Sequence, residues 1–86
     1  MINIIIRTFS SKLRTINIIL ENNDSFNKLF DSINDRLNLT PEKYYFVRNS
    51  KSFHYDNLIN LKIFDLFGND DIVFLNMYPC LKHFKN

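Results

Sequence analysis

The sequence predicts an α+β domain, a mixed sheet of four to five strands with one helix packed across it. Three observations carry that prediction. Apolar residues recur with period two at Ile2, Ile4 and Ile6 and again at Ile16, Ile18 and Leu20, the spacing of strands with one buried face. Phe26, Leu29, Phe30, Ile33 and Leu37 then recur at helical spacing. Period two returns at Ile72 and Phe74. Eighty-six residues leave room for one core, so hairpin, helix and later strands belong to a single domain. Residues 1–78 are assigned to it, and residues 79–86, which lack a clear period, to a C-terminal tail.

Taken in order, Ile2 to Arg7 reads as the first strand, with Asn3 and Arg7 on the face opposite Ile2, Ile4 and Ile6. Ile5 makes the outer face partly apolar. Phe9-Ser10-Ser11-Lys12 turns the chain, and Thr15 to Leu20 returns as the antiparallel partner, its β-branched residues suiting a pleated surface. Ser25 is the expected helix N-cap, with Asp24 as the alternative, because a side-chain oxygen there can accept from an unpaired N–H of the first turn. Asp31, Asn34 and Asp35 fall on the wet face of the helix. Asn38 is placed to end it in the left-handed conformation, and Thr40-Pro41 confirms the stop.

Tyr44 to Arg48 forms a third strand, with Phe46 inward and Tyr45 and Val47 outward. Asn49-Ser50 turns it into a short piece, Lys51 to Phe53. His54 to Asn60 reads as a loop and Leu61 to Phe67 as a segment with one helical turn. Gly68-Asn69-Asp70-Asp71 is the strongest turn signal. In the last strand, Ile72 to Met77, the expectation is Ile72 and Phe74 inward, Val73 and Leu75 outward.

Composition narrows the function classes. One cysteine excludes an internal disulfide, no Cys/His cluster has zinc spacing, and a reducing intracellular setting, cytoplasmic or nuclear, follows as the expectation. The alternating N-terminus is neither a signal peptide nor a membrane span. A net charge of +2 permits anionic partners without requiring nucleic acid. Ala is absent, Gly occurs once, and Asn, Ile, Phe and Lys abound, the mark of an A/T-rich genome. The two histidines, His54 and His83, have no Ser or Cys in a triad pattern. Cys80 and His83 are three residues apart, and a free thiol without a role is the simpler reading. Asp65, Asp70 and Asp71 suit turns and caps better than a cation site, and no Gly-rich phosphate loop occurs. No enzyme, no metal, no cofactor and no small-molecule substrate are therefore expected.

The order of elements resembles ubiquitin and the ubiquitin-like β-grasp family over about residues 1 to 77. Met1 to Lys12 is similar to the family's first strand and turn, in a hairpin about two residues longer. Asp24-Ser25-Phe26 stands where the family has Asp-Thr-Ile, and Pro41 matches the second Pro of Pro-Pro-Asp. Phe46-Val47 matches Leu-Ile, and Lys51-Ser52-Phe53 matches the Gly-Lys-Gln-Leu turn. Leu61 to Leu66 resembles Leu-Ser-Asp-Tyr-Asn-Ile, and Ile72-Val73-Phe74-Leu75 resembles Leu-His-Leu-Val. Several departures stand out. The modifiers of the family end in Arg-Leu-Arg-Gly-Gly, whereas Met77-Tyr78-Pro79-Cys80-Leu81 stands here and no Gly-Gly occurs. Phe64 replaces a Tyr whose hydroxyl pins a loop, Arg48 replaces an aromatic, and Gly68 replaces a chain-forming lysine.

The resemblance implies an apolar recognition patch drawn from the first turn, third strand and last strand, at Phe9, Val47, Val73 and Leu75. Outward aliphatic neighbours on adjacent strands would form an exposed patch of the kind that binds proteins. Arg7, Arg14, Lys12 and Lys51 are expected to rim it and to steer acidic proteins. The expected function is a non-catalytic, non-conjugated protein-binding subunit or adaptor. The second expectation is an RNA-associated subunit of a ribonucleoprotein such as a ribosome, with the basic tail Lys82-His83-Phe84-Lys85 contributing, and the third a divergent modifier.

Overall fold

A computed structural model describes residues 1–9 and 14–80 in full and Leu13 by its backbone. Five strands form one mixed sheet. They are β1 (Ile2–Phe9), β2 (Leu13–Leu20), β3 (Tyr44–Arg48), β4 (Lys51–Phe53) and β5 (Ile72–Pro79). Their spatial order is β2-β1-β5-β3-β4, with β1 and β5 parallel at the centre and every other pairing antiparallel. Helix α1 (Phe26–Leu37) packs across one face. Two short helices, α2 (Tyr55–Leu58) and α3 (Ile63–Phe67), lie in the connection between β4 and β5, and a 3₁₀ turn at Pro41–Lys43 leads into β3. This is the mixture of pairings that the resemblance implies.

The core lies between the sheet and α1. Ile2, Ile4 and Ile6 of β1 are buried, as are Ile18 and Leu20 of β2, and Phe26, Leu29, Phe30 and Ile33 of the helix close over them. Each fully buried side chain of this size contributes about 1.5–3 kcal/mol, so the inward alternation of β1 alone anchors the sheet. Tyr44 and Phe46 extend the core into β3, and Leu58, Ile63 and Phe67 seal its end from the two short helices. His54–Asn60, expected to be a loop, thus contributes Leu58 through the one-turn helix α2. Asn57 Oδ1 accepts the His54 N–H at 2.9 Å, and Asp65 Oδ2 accepts the Lys62 N–H at 2.8 Å, so each short helix starts on a side chain that reaches back.

Ser25 does occupy the N-cap position, but its side chain makes no capping bond there. Asp24 instead accepts the Glu21 N–H at 2.8 Å, tightening the turn before the helix. Asn38 ends the helix in the left-handed region, at φ 57°, and its N–H donates to the Asn34 carbonyl at 2.8 Å, as its place in the sequence suggests. Two bonds tie α3 and the turn after it to the segment before α1. Asn22 Nδ2 donates to the Gly68 carbonyl at 2.9 Å, and the Phe64 N–H donates to the Asn22 carbonyl.

One strand is read from the sequence a residue out of phase. Ile72 and Phe74, expected inward, are 54% and 68% exposed, whereas Val73 and Leu75, expected outward, are 1% and 2% exposed. The parallel register explains it. Val73 sits opposite Ile4 and Leu75 opposite Ile6, and neighbours in register share a face. Since the side-chain period is two, a slip of one residue exchanges the faces of the whole strand.

Candidate functional site

The second face of the sheet has no helix on it. Three strands present aliphatic and aromatic residues there: Ile19 of β2, Ile5 of β1, and Ile72 and Phe74 of β5. Ile19 is 59% exposed, so with Ile72 and Phe74 it accounts for three of the large apolar side chains that the fold leaves in solvent. A shallow groove on this face is lined by Ile5, Arg7, Thr15, Phe74, Leu75 and Asn76. The amides Asn3, Asn17 and Asn76 and the hydroxyls Thr15 and Ser52 complete this face. Arg7 is the one charged side chain among the described strand residues that project from it, and it makes no ion pair with any described residue.

The other half of the face is a row of rings. Phe9 stacks on Tyr78 with centroids 4.9 Å apart and planes 12° from parallel. Tyr78 stacks on Tyr45 at 5.8 Å, and Tyr45 on His54 at 4.8 Å. The Arg7 guanidinium lies over the Phe9 ring, 5.9 Å from its centroid. The pairing of Tyr45 with Tyr78 and the placing of Phe9 one step beyond Thr8, which faces Met77, set these rings side by side across β1, β5 and β3.

The residues expected to form the patch are divided by the structure. Phe9 and Val47 are on the open face and half-buried, Val47 between Asn76 and Ser52, and Arg7 is exposed on it. Val73 and Leu75 are not on it. They are core residues, and Ile72 and Phe74 take the places expected of them. Lys51 does not rim the patch either. It pairs with Arg48, one step along from Val47 and therefore on the opposite face, where Arg48 lies over the Phe67 ring. Arg14, opposite Thr8, is exposed at the edge strand. Lys12 and the segment Lys82-His83-Phe84-Lys85 lie outside the described residues.

Reasoning from the sequence missed Ile19, Ile72, Phe74 and Tyr78 as surface residues. The signal for the last three was present. Asn76 is polar and belongs outside, and counting back by two from it puts Phe74 and Ile72 outside as well.

A second concavity lies between the 3₁₀ turn, β3 and α2, lined by Pro41, Glu42, Tyr44, His54, Tyr55, Asp56 and Cys80. Cys80, expected in a mobile-looking tail, is buried, and its N–H donates to the Lys43 carbonyl at 2.8 Å. His83, its nearest histidine in sequence, lies outside the described residues. The Tyr44 hydroxyl is buried without a protein partner, and burial, reinforced by the negative charge of Glu42, pushes its pKa up. Among the described residues no three His, Cys, Asp or Glu side chains converge as metal ligands would. Of the three aspartates weighed as a cation site, Asp70 pairs with Arg48 at 3.1 Å, Asp65 caps α3, and the Asp71 carbonyl accepts the Asn3 N–H at 2.8 Å.

Comparison with known proteins agrees on the fold. The chain is similar to the solution structure of a computationally designed protein based on the template of human erythrocytic ubiquitin. The TM-score is 0.70 at 18% identity, over 93% of this chain and 92% of that one. At that identity the likeness establishes architecture alone, and the architecture is the ubiquitin-like β-grasp. No family model matches the sequence, and no curated protein matches it. No helix among the described residues is long and apolar enough to cross a membrane.

Proposed function

We propose that this chain is a non-catalytic, non-conjugated protein-binding module of the cytoplasm or nucleus, acting as a subunit or adaptor of a larger assembly and docking through its open sheet face. The observation that carries this is the make-up of that face: Ile19 of β2 and Ile72 and Phe74 of β5 stand in solvent on either side of β1, and Arg7 is the only charge among the described strand residues that project there. Depletion of charge with enrichment of aromatic residues and Arg is the composition of an interface core, whereas ordinary surfaces are rich in Lys, Glu and Asp. Arg7 asks for a carboxylate on the partner. The non-conjugated part rests on the sequence, which has one glycine and so no Gly-Gly for a transfer enzyme to thread.

The RNA reading has less support. Base-stacking surfaces present free ring faces, and here the rings of Phe9, Tyr78, Tyr45 and His54 cover one another. The test is affinity capture from native lysate, with and without nuclease, comparing the wild type with Phe74→Asp. A stoichiometric protein partner that survives nuclease and is lost with Phe74→Asp, at unchanged melting temperature, is the expected result. Loss of capture on nuclease treatment would favour RNA, and capture indifferent to Phe74→Asp would move the site off this face.

A further inference from the structure

The two edges of the sheet are managed differently. β4 is three residues long and begins with Lys51, the usual means of blunting an edge. β2 is eight residues long, contains no proline, pairs with β1 without a bulge over its whole length, and has Arg14 as its one charge. The backbone shows which of its groups are free. The Asn3 N–H donates toward β5, to the Asp71 carbonyl, so the odd residues of β1 bond to β5 and its even residues to β2. With Ile4 opposite Ile18 and Ile6 opposite Ile16, the even residues of β2 are used, and Thr15, Asn17 and Ile19 turn their N–H and C=O groups outward. The Arg36 guanidinium agrees, reaching from the end of α1 to donate to the Asn17 carbonyl at 2.8 Å.

We infer that β2 is a self-pairing edge, which joins the β2 of a second copy antiparallel about a two-fold axis through Asn17. A closed two-fold contact sets each residue against its symmetry partner, so the residue on the axis must tolerate its own copy. Asn17 does, because an amide is both donor and acceptor, whereas a charge there would repel itself. The flanking pairs are Thr15 with Ile19, two β-branched residues that suit a cross-strand pair, and Arg14 falls opposite Leu20, away from its own copy. Thr15, Asn17 and Ile19 then all form hydrogen-bonded pairs, and the two sheets join into one. Arg36 is the device that holds the edge back, since it occupies the central carbonyl.

This inference does not rest on the open-face reading, and sedimentation velocity of the full chain from micromolar to millimolar concentration separates the two. The wild type is expected to dimerise reversibly. Arg36→Ala should tighten the dimer by about tenfold, through release of a charge-assisted bond that competes with pairing. Asn17→Pro removes an N–H that β1 does not use, so it should keep the fold and abolish the dimer, and Ile19→Lys should weaken it. Phe74→Asp should leave it unchanged. In a mixture of labelled and unlabelled chains, an intermolecular α-proton contact between Ile16 of one protomer and Ile18 of the other is expected. A monomer at every concentration in both the wild type and Arg36→Ala overturns the inference. So does a dimer that Asn17→Pro leaves intact, or one that Phe74→Asp abolishes.

Discussion

Leu75 and Phe74 are neighbours on one strand, and placing a carboxylate at each should give opposite results. Leu75 is 2% exposed and faces Ile6 across the parallel pairing. Truncating a buried Leu costs about 2–5 kcal/mol through lost burial and the cavity left behind. An aspartate there adds an unpaired buried charge, a penalty of several kcal/mol more. A domain of this size has about 5–15 kcal/mol in total, so Leu75→Asp should be largely unfolded at room temperature. Phe74, 68% exposed, faces solvent and has little burial to lose. Phe74→Asp should cost no more than about 1 kcal/mol, the range of strand propensity at an exposed site. Circular dichroism and urea denaturation of the two variants measure the difference. A folded Leu75→Asp beside an unfolded Phe74→Asp would show that β5 is seated one residue away from the register described here, and the open face would lose its central residue.

Two further outcomes follow from backbone and side-chain strain. Asn49 and Ser50 both have positive φ, 54° and 67°, and a serine there opposes its own Cβ, so Ser50→Gly should stabilise the domain by about 0.5–1 kcal/mol in a denaturant titration. The buried, partnerless Tyr44 hydroxyl predicts that Tyr44→Phe is neutral or stabilising by about 1 kcal/mol near neutral pH, and the variant should also change the alkaline response. The folded state holds the phenol proton above the ordinary value of 10.0, so the folded state binds more protons than the unfolded one in alkali and stability falls as pH rises past that value. Tyr44→Phe should flatten that fall in unfolding curves measured at rising pH, and an unchanged slope would mean that Tyr44 ionises as freely as an exposed tyrosine.

Where polar and apolar residues alternate, the sequence alone placed side chains correctly. Ile2, Ile4 and Ile6 are interrupted by Asn3 and followed by Arg7, and the helix stripe from Phe26 to Ile33 is bounded by Asp31, Asn34 and Asp35, so each face had one reading. Ile72-Val73-Phe74-Leu75 has no such interruption. A continuous apolar run supports either register, and only tertiary pairing with β1 decides between them. Asn76 at the end of the run held the answer because an amide opposite Val47 belongs to the same face as Phe74. The same slip moved half of the expected patch into the core. Lys51 was misplaced for a related reason: a two-residue turn makes Lys51 the cross-strand partner of Arg48 and not of Val47, and turn length sets which face a hairpin residue occupies. The edge pairing of β2 depends on which backbone groups point outward, and that is a property of the assembled sheet that no residue type announces.

The open face divides into two halves that satisfy themselves unequally. In the half containing Phe9, Tyr78, Tyr45 and His54, each ring already has a neighbour at stacking distance, so a partner arriving there replaces solvent only at ring edges and gains little new contact. Ile19, Ile72 and Phe74 have no such cover. Apolar area still in water is the area whose burial can drive association, at about 25 cal/mol per Å² before the costs of binding are set against it. Binding energy at this face should therefore concentrate at Phe74 and its aliphatic neighbours, with the ring row acting as a rigid flank and Arg7, poised between the halves over Phe9, setting the charge of what docks. Val47, half-buried between Asn76 and Ser52, belongs to the flank. The centre of the proposed site thus falls on β5, at residues the sequence pattern alone assigned to the core.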